Sequence, residues 1–193
     1  MDRKQHADEV TKEILCLFEK HGNEDYDGEP VTQASHMIQC GMQAMGEGVD
    51  MELVIGAFLH DIGHLLRYKT QTEAMGQFGV LNHEGLGGEY LRKNGFSERV
   101  CSMVDQHVAA KRYLVSTDPT YKNKLSAASL QTLTKYQGGL MTQDEIAVFE
   151  NHPFFDDIIK VRLWDEEAKS QNAVLLPIRH FTHLINEYLN DRM

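Results

Sequence analysis

The stretch Leu59–Leu66, "LHDIGHLL", closes the apolar run "ELVIGAFLHDIGHLL" and puts His60, Asp61 and His64 within five residues. The apolar positions cover a helix almost all round, so the spacing predicts one central, buried helix from about Asp50 to Arg67. Buried imidazole and carboxylate groups need partners, and a metal ion suits all three. Adjacent side chains on a helix diverge by about 100°. His60 and Asp61 therefore reach one site only if it lies between their directions, which is natural when the aspartate bridges two ions.

Working outward, the rest of the chain also reads as helix. Prolines number only four, and alternating β-branched runs are few. The pattern predicts a first helix over about 5–21, with Val10, Ile14, Leu17 and Phe18 on one face, followed by the acidic loop "HGNEDYDGEP". A second starts near Thr32 to Ser35, carries His36 and ends around "MGEG". "NHEGLGGEYLRKNGF" follows the central helix, with Asn82 as its cap and "NGF" as its stop. "SERVCSMVDQHVAAKRYL" is a helix carrying His107 and Lys111, "STDPTYKNK" a polar loop, and "SAASLQTLTKYQGG" a short helix. Thr142 and Glu145 form a capping-box pattern, Pro153 breaks that helix, and "FFDDIIKVRLWDEEAKS" makes another containing Asp165. The last helix begins after Pro177 on the stripe Ile178, Phe181, Leu184, Ile185, Tyr188 and Leu189. With no internal repeat, linker or second composition, the expectation is an all-α fold: a single helical-bundle domain over 1–193.

Bulk properties exclude some functions. Hydrophobic residues are 41% and charged residues 25%, the balance of a globular domain. A net charge of -10 argues against a protein that grips the nucleic acid backbone. No run approaches the length of a membrane span, and the first twenty residues lack a signal-peptide core. Cys16, Cys40 and Cys101 are odd in number and far apart, as expected of thiols in a reducing cytoplasm.

The candidate ligands, in chain order, are His36, His60, Asp61, His83, His107 and an acidic residue near the end. A single helical histidine is usually a surface or hydrogen-bonded core residue, and the HD dipeptide alone is weak. The full set, spread over several helices, points to metal, and imidazoles plus carboxylates suit iron, manganese or zinc. On spacing alone Asp156, Asp157 and Asp165 all compete for the last position. Lys111 follows His107 by four residues and shares its helix face, where an ammonium would suit a phosphonate or phosphate.

The pattern resembles the HD-domain superfamily, most of whose members are phosphohydrolases, and His83 and His107 resemble its dinuclear branch. "DYDGEPVTQASHMIQC", "GAFLHDIGH", "NHEGLGGEYL", "HVAAKRYL", "LSAAS", "YQGGLMT" and "RLWDEEAK" together resemble the mixed-valence diiron oxygenases that cleave carbon–phosphorus bonds, over about residues 24–170. The resemblance implies two iron ions in an Fe(II)/Fe(III) pair, with O2 as co-substrate. It assigns His36, His60, Asp61 and Asp165 to one iron and His83 and His107 to the other, with Asp61 bridging. It implies a small zwitterionic organophosphonate, 1-hydroxy-2-amino- or 1-hydroxy-2-(trimethylammonio)ethylphosphonate, converted to glycine or glycine betaine plus phosphate. His64, Lys111, Asn123 and Ser129 are its expected substrate contacts. Tyr26 and Glu29 are expected to guard the vacant iron position. The acidic loop of Glu24, Asp25, Asp27 and Glu29 could hold the cationic end. The competing expectation is a metal-dependent phosphohydrolase of a nucleotide or phosphate ester, for which the same ligands serve.

Overall fold

A computed structural model describes residues 2–26, 28–68, 75 and 79–192. Its helices are α1 (Arg3–His21), α2 (Gln33–Gly46), α3 (Met51–Leu59), α4 (Ile62–Leu65), α5 (His83–Lys93), α6 (Glu98–Thr117), α7 (Pro119–Lys122), α8 (Ala127–Lys135), α9 (Gln143–Glu150), α10 (Phe155–Glu167) and α11 (Ile178–Arg192). No strand occurs among the described residues, and Asp25 and Thr32 make one isolated antiparallel bridge. The all-α expectation holds.

The centre is α3, whose residues from Leu53 to Leu59 are all buried, as a helix apolar on every side must be. Helices α2, α6, α10 and α11 pack around it. Phe58 of α3 lies between Phe18 of α1, at 4.9 Å between ring centroids, and Phe181 of α11, at 4.4 Å. This three-ring stack fastens the first and last helices to the core, and Val10, Ile14 and Ile185 complete the seam.

Local chemistry starts the helices where the sequence says it should. Thr32, Asp50, Ser97 and Ser126 each accept a backbone N–H in the first turn of the following helix, and Thr142 with Glu145 closes a reciprocal capping box. Asn82 corrects one expectation. It precedes α5 in the left-handed region, at φ 58°, and its side chain makes no capping bond. The "STDPTYKNK" loop also contains the short helix α7, started by Asp118 and Pro119.

The larger correction is at the opening motif. The helix expected over about 50–67 is broken: α3 stops at Leu59, Asp61 adopts φ −104°, ψ 14°, and α4 resumes at Ile62 before a single 3-10 turn, Leu66–Tyr68. That backbone lies in the sparsely populated bridge region. The turn is closed by the His64 N–H donating to the Asp61 carbonyl at 3.0 Å. The break removes the 100° divergence and lets neighbouring side chains point at the same place.

Candidate metal centre

Five helices and the break itself supply the donor side chains that meet here. His36 comes from α2, His60 from the end of α3, Asp61 from the break, His83 from the first turn of α5, His107 from the middle of α6 and Asp165 from α10. All six are buried, none more than 4% exposed, so no bulk water neutralises them.

The six form two clusters that share one carboxylate. His36, His60 and Asp165 make one group, and Asp61, His83 and His107 the other. In the first, the His36 and His60 Nε2 atoms are 3.1 Å apart, and Asp165 Oδ1 lies 3.2 Å from His36 and 3.7 Å from His60. Asp61 Oδ2 faces the same two nitrogens at 3.5 and 3.3 Å. Its other oxygen, Oδ1, stands 3.3 Å from both His83 and His107 Nε2, which are themselves 3.1 Å apart. Donor atoms about 2.0–2.2 Å from a shared ion stand roughly 2.8–3.6 Å apart. Every separation but the 3.7 Å between His60 and Asp165 falls in that range, so both clusters suit a cation at their centre, and Asp61 fits as the bridge.

The outer hydrogen bonds make the same point independently. His36 Nδ1 faces the Ala168 carbonyl at 3.0 Å, His60 that of Ala57 at 2.8 Å, His83 that of Val80 at 3.2 Å and His107 that of Val104 at 2.8 Å. A carbonyl only accepts, so each Nδ1 carries the proton and each neutral imidazole turns a bare Nε2 inward. Pairs of bare nitrogens at 3.1 Å repel unless positive charge lies between them. Asp61 Oδ2 and Asp165 Oδ1, buried with no hydrogen-bond donor, need that charge too.

The electrostatics follow. Burial alone would raise Asp61, but positive charge on the facing imidazoles, His60 first and then His107 and His36, holds its carboxyl well below the usual carboxylate range. Burial likewise opposes ionisation of Asp165, and Arg162 with His60 overrides it. His60 is pushed well up despite its burial, because Asp61 and Asp165 face it. His36 and His83 are raised as well, whereas burial lowers His107, so the field favours a cation at three of the four imidazoles.

Beside the clusters is a cavity of about 60 Å³, its walls including Tyr26, Glu29, His64, Lys111, Ser129 and Arg162. Lys111 is 5% exposed and donates to Thr132 Oγ1 at 3.3 Å; burial, then the charge of Arg162, push it down to about 7. His64 accepts the Val80 N–H on Nδ1 at 3.2 Å and stacks on His83 at 4.0 Å. Burial and His83 hold it well below the usual histidine range, so it is neutral with a donor on Nε2. Ser129 sits in the first turn of α8, whose amide end adds partial positive charge.

Tyr26 stacks on His36 at 4.0 Å, and its hydroxyl is hydrogen-bonded to Asp61; burial, then Asp61 and Asp165, raise it well above the usual tyrosine range. Glu29 receives the Ser126 hydroxyl and pairs with Lys169 at 3.1 Å.

Some expectations land elsewhere. Asn123 is exposed at the end of α7 and does not line the cavity. Of the acidic loop only Glu29 reaches it: Glu24 pairs with His21 and Arg67, Asp25 is exposed, and Asp27 lies outside the described residues. Asp157 is taken by Arg99 at 2.7 Å and Asp156 is exposed, which leaves Asp165 alone of the three at the cluster. Gln33, Thr132, Gln137, Arg162 and Lys169 line the cavity without having been singled out in the sequence. For Arg162 and Lys169 the available signal was spacing, three before and four after Asp165.

Comparison with known proteins agrees with this geometry. Residues 34–134 match the HD domain. A (1-hydroxy-2-(trimethylamino)ethyl)phosphonate dioxygenase (glycine-betaine-forming) from Leisingera caerulea is 39% identical, covering 98% of this chain and 95% of its own length. A hydroxymethylphosphonate dioxygenase from Gimesia maris is 40% identical over 86% of this chain and 81% of its own. An uncharacterized protein of Acanthamoeba polyphaga mimivirus is 40% identical over 92% and 81%. With its shared aspartate, its histidine pairs and these relatives, the chain belongs to the HD-domain family.

Proposed function

We propose that the protein is an iron- and O2-dependent oxygenase that cleaves the carbon–phosphorus bond of a small 1-hydroxyphosphonate. The substrates that suit it are 1-hydroxy-2-amino- and 1-hydroxy-2-(trimethylammonio)ethylphosphonate, which yield glycine or glycine betaine together with phosphate. The observation that carries this reading is Asp61, whose two oxygens face two separate histidine pairs at the wall of a cavity that also presents a buried lysine. Names of two relatives, both phosphonate dioxygenases, support oxygenation over hydrolysis.

His36, His60, Asp61 and Asp165 would hold one iron, and Asp61, His83 and His107 the second. Bound there, a mixed-valence pair supplies the redox chemistry that activates dioxygen. The chain's own residues bind and orient. Lys111 and the first turn of α8, at Ser129, hold the phosphonate, and the Nε2–H of His64 donates to a substrate oxygen. With the anion fixed at one end, the hydroxylated carbon is held against the donor clusters, and orientation of this kind is worth a large share of a barrier.

Tyr26 fills the space beside Asp61, so substrate must displace it to enter. Because Tyr26 and Glu29 share one loop, displacing the ring also moves Glu29, freeing a carboxylate for the cationic end of the substrate. The phenol thereby keeps the centre closed until substrate arrives.

The test is product formation by iron-loaded protein from the amino, trimethylammonio and unsubstituted hydroxymethyl phosphonates, in air and without oxygen. Oxygen-dependent phosphate from at least one of the two zwitterions is expected. Turnover of hydroxymethylphosphonate alone would refute the zwitterion assignment, and equal phosphate release without oxygen would favour a phosphohydrolase.

A further inference from the structure

Asp61 and Asp165 are the same residue type, equally buried, in one centre, yet they present themselves differently. Asp61 turns both oxygens to imidazoles. Asp165 turns only Oδ1 to His36 and His60, because its Oδ2 accepts from Arg162 Nη1.

Arg162 is itself fixed on every edge. It is 4% exposed, its Nε donates to the Tyr121 hydroxyl at 2.7 Å, and its Nη2 donates to Glu166. Asp165 and Glu166 follow it by three and four residues on α10, so the fork reaches both carboxylates along one helix face. Tyr121 comes from α7 and is 3% exposed, which anchors the third edge outside α10. A planar guanidinium so held fixes the plane of the carboxylate it binds, which an ammonium cannot do.

We propose that Arg162 is a positioning residue that makes Asp165 a one-oxygen, terminal ligand and leaves Asp61 as the sole bridging carboxylate. The role rests on the reading that the two clusters hold metal ions. Arg162 acts on the first cluster through Asp165: its Nε and one N–H of each Nη are committed to Tyr121, Asp165 and Glu166. Without it, the Asp165 carboxylate is free to rotate, to offer both oxygens or to swing out of the cluster. Outer partners of metal ligands usually contribute about 10–100-fold to affinity. The loss should fall on the His36–His60–Asp165 cluster alone, because Arg162 touches no ligand of the other.

Anaerobic Fe(II) titration with chelator competition tests this on wild type, Arg162→Gln, Arg162→Lys and Tyr121→Phe, with helix content followed by circular dichroism. His83→Ala serves as a background in which only the first cluster binds. Wild type should take up two ions. Arg162→Gln should keep one at full affinity and bind the other about 10–100-fold more weakly, with the loss retained in the His83→Ala background. Arg162→Lys should recover part of that loss at most, and Tyr121→Phe should lose a smaller amount at the same cluster. A folded Arg162→Gln protein with both affinities unchanged would overturn the role. If that variant does not fold, unchanged first-cluster affinity in Tyr121→Phe overturns it instead. Wild type that binds no iron would overturn the metal reading itself, a separate result.

Discussion

A buried lysine gives the sharpest single-residue prediction. Lys111 is held to about 7, against an ordinary 10.5, by burial and by Arg162. Below about pH 7 it is the ammonium that a phosphonate requires, and above it the pairing weakens. Since kcat/KM reports groups of the free enzyme, that ratio should decline above about pH 7, and Lys111→Arg should move the decline upward. A decline at the same pH in Lys111→Arg would assign it to another group. The folding sign is opposite. The folded pKa lies below the unfolded one, so the unfolded chain binds the extra proton between them and stability rises with pH over about 7 to 10.5. Lys111→Met should flatten that rise, measured by urea unfolding at several pH values. Among the proposed ligands, His107→Ala should release one ion and abolish turnover while helix content is kept. Two tightly bound ions in that variant would remove His107 from the ligand set.

At the scale of elements, the break between α3 and α4 matters most. An unbroken helix would send His60 and Asp61 apart, and the turn at Asp61 brings their inward atoms to 3.3 Å. Gly63 secures it: a Cβ there would stand 1.9 Å from the His83 carbonyl oxygen, so α4 rests directly on the backbone that starts α5. Gly63→Ala should push that start outward and cost about 1–3 kcal/mol, as overpacking does, together with iron at the His83–His107 cluster. Thermal unfolding and metal content check both, and unchanged metal content would detach the glycine from the site. The break was illegible in the sequence because "LVIGAFLHDIGHLL" keeps a helical apolar pattern straight through it. The ion chain from Asp165 through Arg162, Glu166 and Lys169 to Glu29 was signalled only by spacing about Asp165, and "RLWDEEAK" reads equally well as a solvated charged face. The helices themselves were legible because their caps and stripes are local: the Thr142–Glu145 box and the stripe after Pro177 lie where spacing put them. The donor types were legible for a different reason, since four imidazoles on apolar faces have few other uses. Asn123 shows the limit, because loop positions follow packing that neighbours in sequence do not encode.

For the whole molecule, the centre depends on a core that holds five separate elements in register. The Phe18–Phe58–Phe181 stack is the point where α1, α3 and α11 meet. Phe58→Ala should cost about 3–5 kcal/mol in urea unfolding while the surviving folded fraction still binds two ions. A cost under 1 kcal/mol would mean the seam between first and last helices lies elsewhere. The same bundle would serve hydrolysis or oxygenation, and only the balance of the reaction separates them. Converting a 1-hydroxyphosphonate to a carboxylate and phosphate consumes one dioxygen for each carbon–phosphorus bond broken, whereas hydrolysis consumes none. The most direct measurement is oxygen uptake and phosphate release, followed together on iron-loaded protein with a 1-hydroxy-2-aminoethyl- or trimethylammonioethylphosphonate. One dioxygen taken up per phosphate, with none released under anaerobic conditions, is the expected result; phosphate appearing without oxygen uptake would contradict it.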